Sequence, residues 1–328
     1  MNIIRIWIKK FSMVSMNFNA EYFSQVPTRS YDMKLLKVKV PKGYHPDSRQ
    51  YNHDSSLAGG VWDGTFQTEK QWTDNPAWIF YDLLTNKRYG IGKHLGDEVN
   101  IDKWTLYEIS KFCDTLVSNG EGGLEPRFTC NVYINTREDA FKVIRDFASA
   151  FRAMAYYGFG TVNTVMDKPR EEVGQFTNVN VREGNFTYSS SSKSSIPTVC
   201  LVRYNDKDNF YKPAIEYVEN TEGIRKFGVK EKEVTAFACT SRSQARRLGR
   251  WILSTDMQQT ETISFQAGPE AMLLKPGDIV SVTDTNRATG KYAGRTTQVS
   301  GSGIVLDRVV DIKDNTNYFL SLTTPTHY

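Results

Sequence analysis

Paired cysteines and gathered histidines are both missing from this sequence. Its four cysteines, Cys113, Cys130, Cys200 and Cys239, lie far apart with no C-x-x-C pair, and three fall inside apolar periodic stretches. The expectation is free, buried thiols in a protein made in a reducing cytosol. The four histidines (His45, His53, His94, His327) are equally dispersed. No zinc site is expected, since zinc needs clustered ligands. Long apolar runs are absent too: nothing approaches the roughly eighteen residues of a membrane-spanning helix. The opening run Ile3–Ile8 is short, broken by Arg5 and followed by Lys9 and Lys10, so a targeting segment is not expected. Charge of one sign is modest, with 41 Lys and Arg against 37 Asp and Glu. A formal +4 falls short of the dense basic face that nucleic-acid binding uses.

Catalytic signatures are scarce as well. There is no G-x-S-x-G and no H-E-x-x-H, and no single cysteine has the local context of a nucleophile. Acidic residues are plentiful, yet no carboxylate pair stands out from an ordinary charged surface, which leaves a glycan hydrolase as an alternative without named residues. Gly90-x-Gly92-Lys93-His94 glances at a phosphate loop. It lacks the four-residue spacing and the Ser or Thr after lysine, so a helix C-terminal turn is expected. Asp284-x-Asn286 near Gly290 resembles a calcium loop without its later ligands, and reads better as a hairpin turn. No catalytic, cofactor-binding or metal-ligating residue is assigned.

What is present is packing. At 328 residues, 39% hydrophobic and 24% charged, the chain is globular and long enough for two or three compact units. Its central stretch, Glu125–Asp167, reads as strand, helix, strand. Phe128, Cys130, Val132 and Ile134 alternate with polar neighbours. Thr136 stands at an N-cap position, with Glu138 and Asp139 in the first turn. Ala140, Phe141, Ile144, Phe147, Ala148 and Phe151 then form one apolar stripe, and a second alternation runs over Thr161–Met166.

Upstream, 31–41 reads as a strand with Lys34, Lys37 and Lys39 toward water. Asn75 and Pro76 start a helix, and Asp102 caps another whose stripe is Ile109, Phe112, Cys113 and Leu116. Helices are thus expected near 76–85, 103–117 and 137–153. Downstream, 170–197 is polar and reads as strands joined by a flexible linker. Val199–Tyr204 and Ala214–Val218 read as partner strands, Thr221 as the cap of a short helix ending at Gly228, and Thr240 or Ser241 as the cap of a long one packed through Ala245, Leu248, Gly249 and Ile252. From Glu261 the chain turns to short strands with turn signals, the pattern of a small barrel or sandwich. Arg242, Arg246 and Arg250 share one helix face. A solvated or salt-bridged face is favoured over a partner site, since no aromatic platform is interleaved with the arginines.

Several ordered blocks carry a family resemblance: VPTRSYDMKLLKVKVP, GYHPDSRQY, VWDGTF, NPAWIFYDLLTNKRYGIG, DKWTLYEISKFCD, GGLEPRFTCNVYI, TAFACTSRSQARRLGRWIL and KPGDIVSVTD. Over residues 20–310 the chain resembles the hub portion of the host-specificity, or tip attachment, proteins of long, flexible-tailed bacteriophages. The resemblance implies an α+β, strand-dominated, multi-domain tail-hub fold. Its modules would be a partial hub β-domain at 1–60, an inserted helical α+β module at 61–170, a hub α+β domain at 171–260 and a small β-barrel-like module at 261–328. It implies a non-enzymatic virion protein, made in the host cytoplasm and assembled as a homotrimer that closes the tail tube. Other tail-tip proteins, the tail tube and the tape-measure protein would be its partners. Trp62, Asp63, Gly64, Asn75, Pro76 and Trp78 would be loop and cap positions that hold the helical insert against the hub sheet. On this reading the first hub domain and the receptor-recognising end lie outside the chain, as in a prophage remnant, a split gene or a partial gene product. A free-standing carbohydrate-binding module is the other alternative, for which the tyrosines at 44–51 are the candidate exposed aromatic cluster.

Overall fold

The computed structural model describes residues 3–8, 11–16, 22, 25, 33–52, 62–95, 100–134, 139–158, 160–190, 192, 196–287, 295–301, 303–307 and 309–310. Two units result, Met1–Lys37 and Val38–Tyr328. The first holds β1 (Ile3–Ile8) and β2 (Phe11–Met16), antiparallel from Ile3↔Met16 to Ile8↔Phe11. Isoleucine, valine and aromatic residues suit this pleated pair.

The described residues 33–40, which straddle the division at Lys37/Val38, do not form the expected strand. They make only single bridges, Val38↔Gln71 and, just beyond, Pro41↔Phe66. Among the described residues, the 65–71 segment bonds to this stretch at Val38, Val40 and Lys42 only, and Pro41 has no N–H to continue a ladder. The alternation sorts side chains only over 37–40, where Val38 and Val40 are buried and Lys37 and Lys39 exposed; Lys34 lies in a stretch, 33–37, that is exposed throughout. Next come β3 (Tyr44–His45) and β4 (Gln50–Tyr51), then α1 (Pro76–Thr85), α2 (Gly92–Leu95), β5 (Asn100–Ile101), α3 (Lys103–Asp114), β6 (Leu116–Ser118) and β7 (Leu124–Pro126). Asn75 caps α1 by accepting from Ala77 N, with Pro76 at the first turn, and Asp102 caps α3 by accepting from Thr105 N. Leu116 does not extend the α3 stripe. The helix stops at Asp114, and Leu116 opens the β6–β7 hairpin, where it is exposed.

The central stretch departs from strand–helix–strand. Phe128 and Cys130 are buried, but Val132 and Ile134 are exposed. The donors here each find a different acceptor: Phe128 N bonds Cys113 O, Cys130 N bonds Asp74 O and Asn131 N bonds Ala238 O. The segment is therefore a strap between three elements, with its backbone satisfied one bond at a time. After it, α4 (Ala140–Ser149) is capped by Asp139, whose carboxylate accepts from Phe141 N and Lys142 N. Thr136 and Glu138, the expected cap and first-turn acid, lie outside the described residues. Because α4 starts late, Phe141 sits in its first turn and is 80% exposed, off the packed stripe. Phe147, Ala148 and the following Phe151 make the contact instead. Arg152 takes a left-handed φ of 55° and turns the chain into β8 (Ala153–Gly158), which hairpins to β9 (Thr161–Met166). Val162, Thr164 and Met166 of β9 point inward, as the alternation implied. One core joins them to Phe80 and Leu84 of α1 and to Leu106, Ile109 and Cys113 of α3.

Downstream lie β10 (Gly174–Thr177), β11 (Thr187–Ser190), β12 (Val199–Asp206), β13 (Lys212–Glu219), α5 (Thr221–Phe227), β14 (Glu231–Thr235) and α6 (Arg242–Gln258). Asn220, one residue before the expected Thr221, caps α5 because its side chain reaches Gly223 N. Ser241 caps α6. The sheet order is β13-β12-β14, with α6 packed on one face through Ala245, Ile252 and Leu253. A Cβ at Gly249 would stand 2.8 Å from Val218 Cγ2, so glycine lets helix and sheet approach.

The remaining strands are β15 (Glu261–Ser264), β16 (Val280–Thr283), β17 (Thr296–Ser300) and β18 (Gly303–Leu306). They do not close into a barrel among the described residues. Instead β15 pairs antiparallel with β11, β16 pairs parallel with β10, and β17 pairs with β18. Two of the four thus reach back to the polar stretch before β12, across the expected line at 260/261. The fold is a mixture of helix and small two- and three-stranded sheets, not a strand-dominated one.

Candidate functional site

The phosphate-loop look-alike is a helix ending. A Cβ on Gly90 would lie 2.1 Å from Leu83 O, and one on Gly92 2.4 Å from Thr85 O. Both glycines exist so that the chain can fold back onto the last turn of α1, where Ile91 N bonds Leu83 O. The calcium-loop look-alike is a turn: Asp284 accepts from Asn286 N, Asn178 Nδ2 and Tyr188 OH. All four cysteines are buried and none is in a disulfide. Burial raises every thiol, Cys239 to about 11 and Cys130 to about 12, which removes them as nucleophiles near neutral pH. Among the described residues, no three His, Cys, Asp or Glu side chains gather as a metal site, and no helix is long and apolar enough to cross a membrane.

Two sets of side chains are drawn together instead. The first is a polar knot under an aromatic nest. Asp114, at the end of α3, accepts from Tyr44 OH at 2.9 Å, Tyr51 OH at 2.7 Å, Asn75 Nδ2 at 2.8 Å and Arg49 Nη1 at 2.7 Å. Arg49 also reaches Asp74 at 2.6 Å. A carboxylate at a helix C-terminus opposes the dipole and needs a cation, which Arg49 supplies from a left-handed φ of 56°. Burial disfavours the Arg49 charge, but Asp74 and Asp114 outweigh it and hold the guanidinium above its ordinary value. Burial first, and then Asp114, raise the phenols of Tyr44 and Tyr51 far above their usual range, so both remain donors. Tyr44 is fully buried and Tyr51 half-buried, so these tyrosines are not an exposed sugar-binding cluster. Trp62, Trp78, Tyr107, Val38 and Val40 pack beside them. The loop and cap roles of Asp63 and Gly64 are also visible: Asp63 accepts from Thr65 N, and Gly64 O accepts from Lys103 Nζ.

The second set locks α6 to its neighbours. Glu216, on the inner face of β13, receives Arg242 Nε at 2.8 Å and Arg246 Nε at 2.7 Å. The arginine face is therefore largely salt-bridged to an adjacent element, with Arg250 exposed. Glu125, on β7, receives Arg247 Nη1 at 2.6 Å and Ser241 Oγ at 2.8 Å, and also bonds Ser243 Oγ. Gln244 spans to Thr129 at 3.1 Å. These bonds join the helical part of the chain to the α6 sheet.

Burial pushes both glutamates up, yet the hydrogen bonds from Ser243, Arg247 and Ser241 on Glu125, and from Arg242 and Arg246 on Glu216, hold them below the ordinary 4.5. A carboxyl depressed in the folded state stabilises it above the unfolded value and loses that contribution as pH falls through the folded one. Thermal stability is thus expected to decline below pH 4.5, and the E125Q/E216Q variant to decline less steeply over the same range. Melting curves between neutral and acid pH check this, and parallel profiles for the two proteins would count against it.

Sequence reading found the arginines but not their partners. Glu216 was detectable, because it shares strand parity with Ala214 and Val218, the buried side of β13. Asp114 gives no comparable signal, since its partners are 39 to 70 residues away.

Known proteins similar to this chain come from phage tails. Residues 139–299, which hold α4 through most of β17 and include α6 and Glu216 but not Glu125, match the family described as putative phage tail protein. That part of the chain is thus similar to a phage tail protein family. More particularly, nearly all of the chain is similar to part of tip attachment protein J. It is 40% identical to that of Escherichia phage SECphi27 over 306 residues, which are 92% of this chain and 25% of the relative. To that of Escherichia phage SECphi4 it is 34% identical over 299 residues, 90% of this chain and 25% of the relative. The chain thus spans about a quarter of the length of these relatives. The crystal structure of a tail protein from Neisseria meningitidis MC58 overlaps 47% of this chain and 48% of its own, at 11% identity and a TM-score of 0.35, too little to define a shared fold.

Proposed function

We propose that this chain is a non-enzymatic structural part of a phage tail tip, a hub segment that assembles as a homotrimer at the end of the tail tube. The alignment with tip attachment protein J over 92% of the chain carries this reading. The structure supports it through how charge is used. Arg49, Arg242, Arg246 and Arg247 are committed to Asp74, Asp114, Glu216 and Glu125, bonds that hold elements to one another. The tail tube, other tip proteins and the tape-measure protein are the proposed partners. Receptor contact falls to parts of the assembly beyond the quarter matched here. Four buried free thiols suit synthesis in a reducing host cytoplasm.

The domain reading follows the sequence divisions with one change in emphasis. Strand pairing of 174–190 with 261–283 favours a module that is left before β12 and resumed after α6.

Two measurements test the proposal. Light scattering of the purified chain is expected to give three times its 37.4 kDa, and a monomer at all concentrations would overturn the trimer. Deleting the gene from its phage is expected to give particles with defective tail tips by electron microscopy. Normal, infectious tails would overturn the structural role.

A further inference from the structure

A cleft of about 530 Å³ opens where α4, β8 and β9 meet β14, α6 and the loop before β16. Much of its wall is apolar, with Phe128, Met166, Phe237, Leu248, Trp251 and Ile279 among the lining residues. Three cations line it, Arg152, Lys168 and Arg170, against the one carboxylate of Asp167. Asp167 is already engaged by Trp251 Nε1 at 2.8 Å. Among the described residues none of the three cations has an ion-pair partner within 4.0 Å. Arg152 lies between two rings, 5.3 Å from Phe128 and 4.9 Å from Trp251. It gives Nη2 to Arg247 O, while its Nε is buried with no hydrogen-bond partner. Burial lowers this guanidinium to about 10 despite the opposing pull of Asp167, and Arg247 and Arg127 add to the lowering. The cleft is short of negative charge.

It also has a free strand edge. β14 is the last strand of its sheet, and its residues Val234 and Thr235 line the cleft. No strand lies beside its outer side among the described residues. An edge strand with side-chain pockets alongside is the geometry that accepts an added strand.

We propose that the cleft docks an extended, apolar peptide segment of a partner protein, which runs along β14 and places one acidic side chain among Arg152, Lys168 and Arg170. The proposal deepens the tail-tip reading, from which it takes only the expectation that the partner is another tail protein. A fatty acid would match the carboxylate and the apolar wall but would leave the strand edge unused, so a peptide fits the cleft more fully.

The test screens the full chain against displayed random dodecapeptides, then titrates the recovered sequences as synthetic peptides by tryptophan fluorescence. The expected peptides carry Asp or Glu between aliphatic residues. Replacing that acid by its amide, or the chain's cations in K168E/R170E or K168Q/R170Q, is expected to weaken binding about tenfold with unchanged melting. The proposal is overturned by recovery of no peptide, by peptides without an acid, or by binding indifferent to the charge variants. Saturation by dodecanoate that no recovered peptide displaces would also overturn it and point to a lipid ligand. If tails require the chain while it selects no acidic peptide, the cleft proposal fails and the tail-tip reading stands.

Discussion

Replacing Trp62 or Trp78 by alanine is expected to cost about 3–5 kcal/mol each, the range for removing a buried tryptophan from a packed core. The two rings are 2% and 0% exposed. Their centroids lie 5.9 Å apart, and Trp62 also stacks on Tyr107 at 4.9 Å. Trp62 Nε1 donates to Thr65 O at 2.6 Å, which orients the ring. These contacts join the segment from Val38 to Tyr44 to α1 and α3. Because the rings touch, the first alanine already loosens the cavity that the second would create. The double variant should therefore lose less than the sum of the single losses. Thermal or denaturant unfolding of the three variants measures it. Single losses under about 1 kcal/mol would show that the nest does not hold the segment in place.

The second large effect is expected at Asp114. Asp114→Ala leaves Arg49 with half of its ion pairing and removes the acceptor of Tyr44, Tyr51 and Asn75. Breaking one partner of a buried charge pair costs about 3–5 kcal/mol, because the survivor stays desolvated. Tyr51→Phe deletes only one donor and should cost about 1 kcal/mol, since Asp114 keeps its other three contacts. The ordering of the two variants is the discriminating result. Equal losses would mean that the knot is exposed to water in solution and that Asp114 does not organise it. Arg49 adds a further check, because its left-handed backbone is held by these bonds. In Asp114→Ala the loop from Tyr44 to Tyr51 is expected to become the first site of limited proteolysis in this part of the chain.

Neither tryptophan nor Asp114 is a reacting group, and both effects fall on assembly of the fold. That agrees with the proposed structural role. In the chain, bonds between distant segments recur at junctions: Asp114 to the 44–51 loop, Glu125 to α6, and Thr129 to Gln244. In the proposed tail-tip role, such bonds between segments would oppose sliding as well as separation.

Local chemistry was readable directly. Asn75-Pro76, Asp102 and Ser241 start helices because short polar side chains bond the first free N–H groups, an interaction within three residues. The inward faces of β9 and α6 follow from periods of two and about three and a half, again properties of neighbouring residues. The buried thiols, none of them in a disulfide, follow from spacing and apolar context. Where the chain goes once an element ends is a different matter. The stretch from Phe128 to Ile134 alternates like a strand, yet among the described residues it pairs with no strand and instead straps α3 to the loops before α1 and α6. The strands after Glu261 have the rhythm of a small barrel, but β15 and β16 find their partners in β11 and β10, more than seventy residues earlier. Pairing is set by which edges remain open after the cores have packed, and no local pattern encodes that. The same holds for charge. Arg242 and Arg246 are legible as a helix face, whereas the buried glutamate between them arrives from another strand, and only folding brings it there.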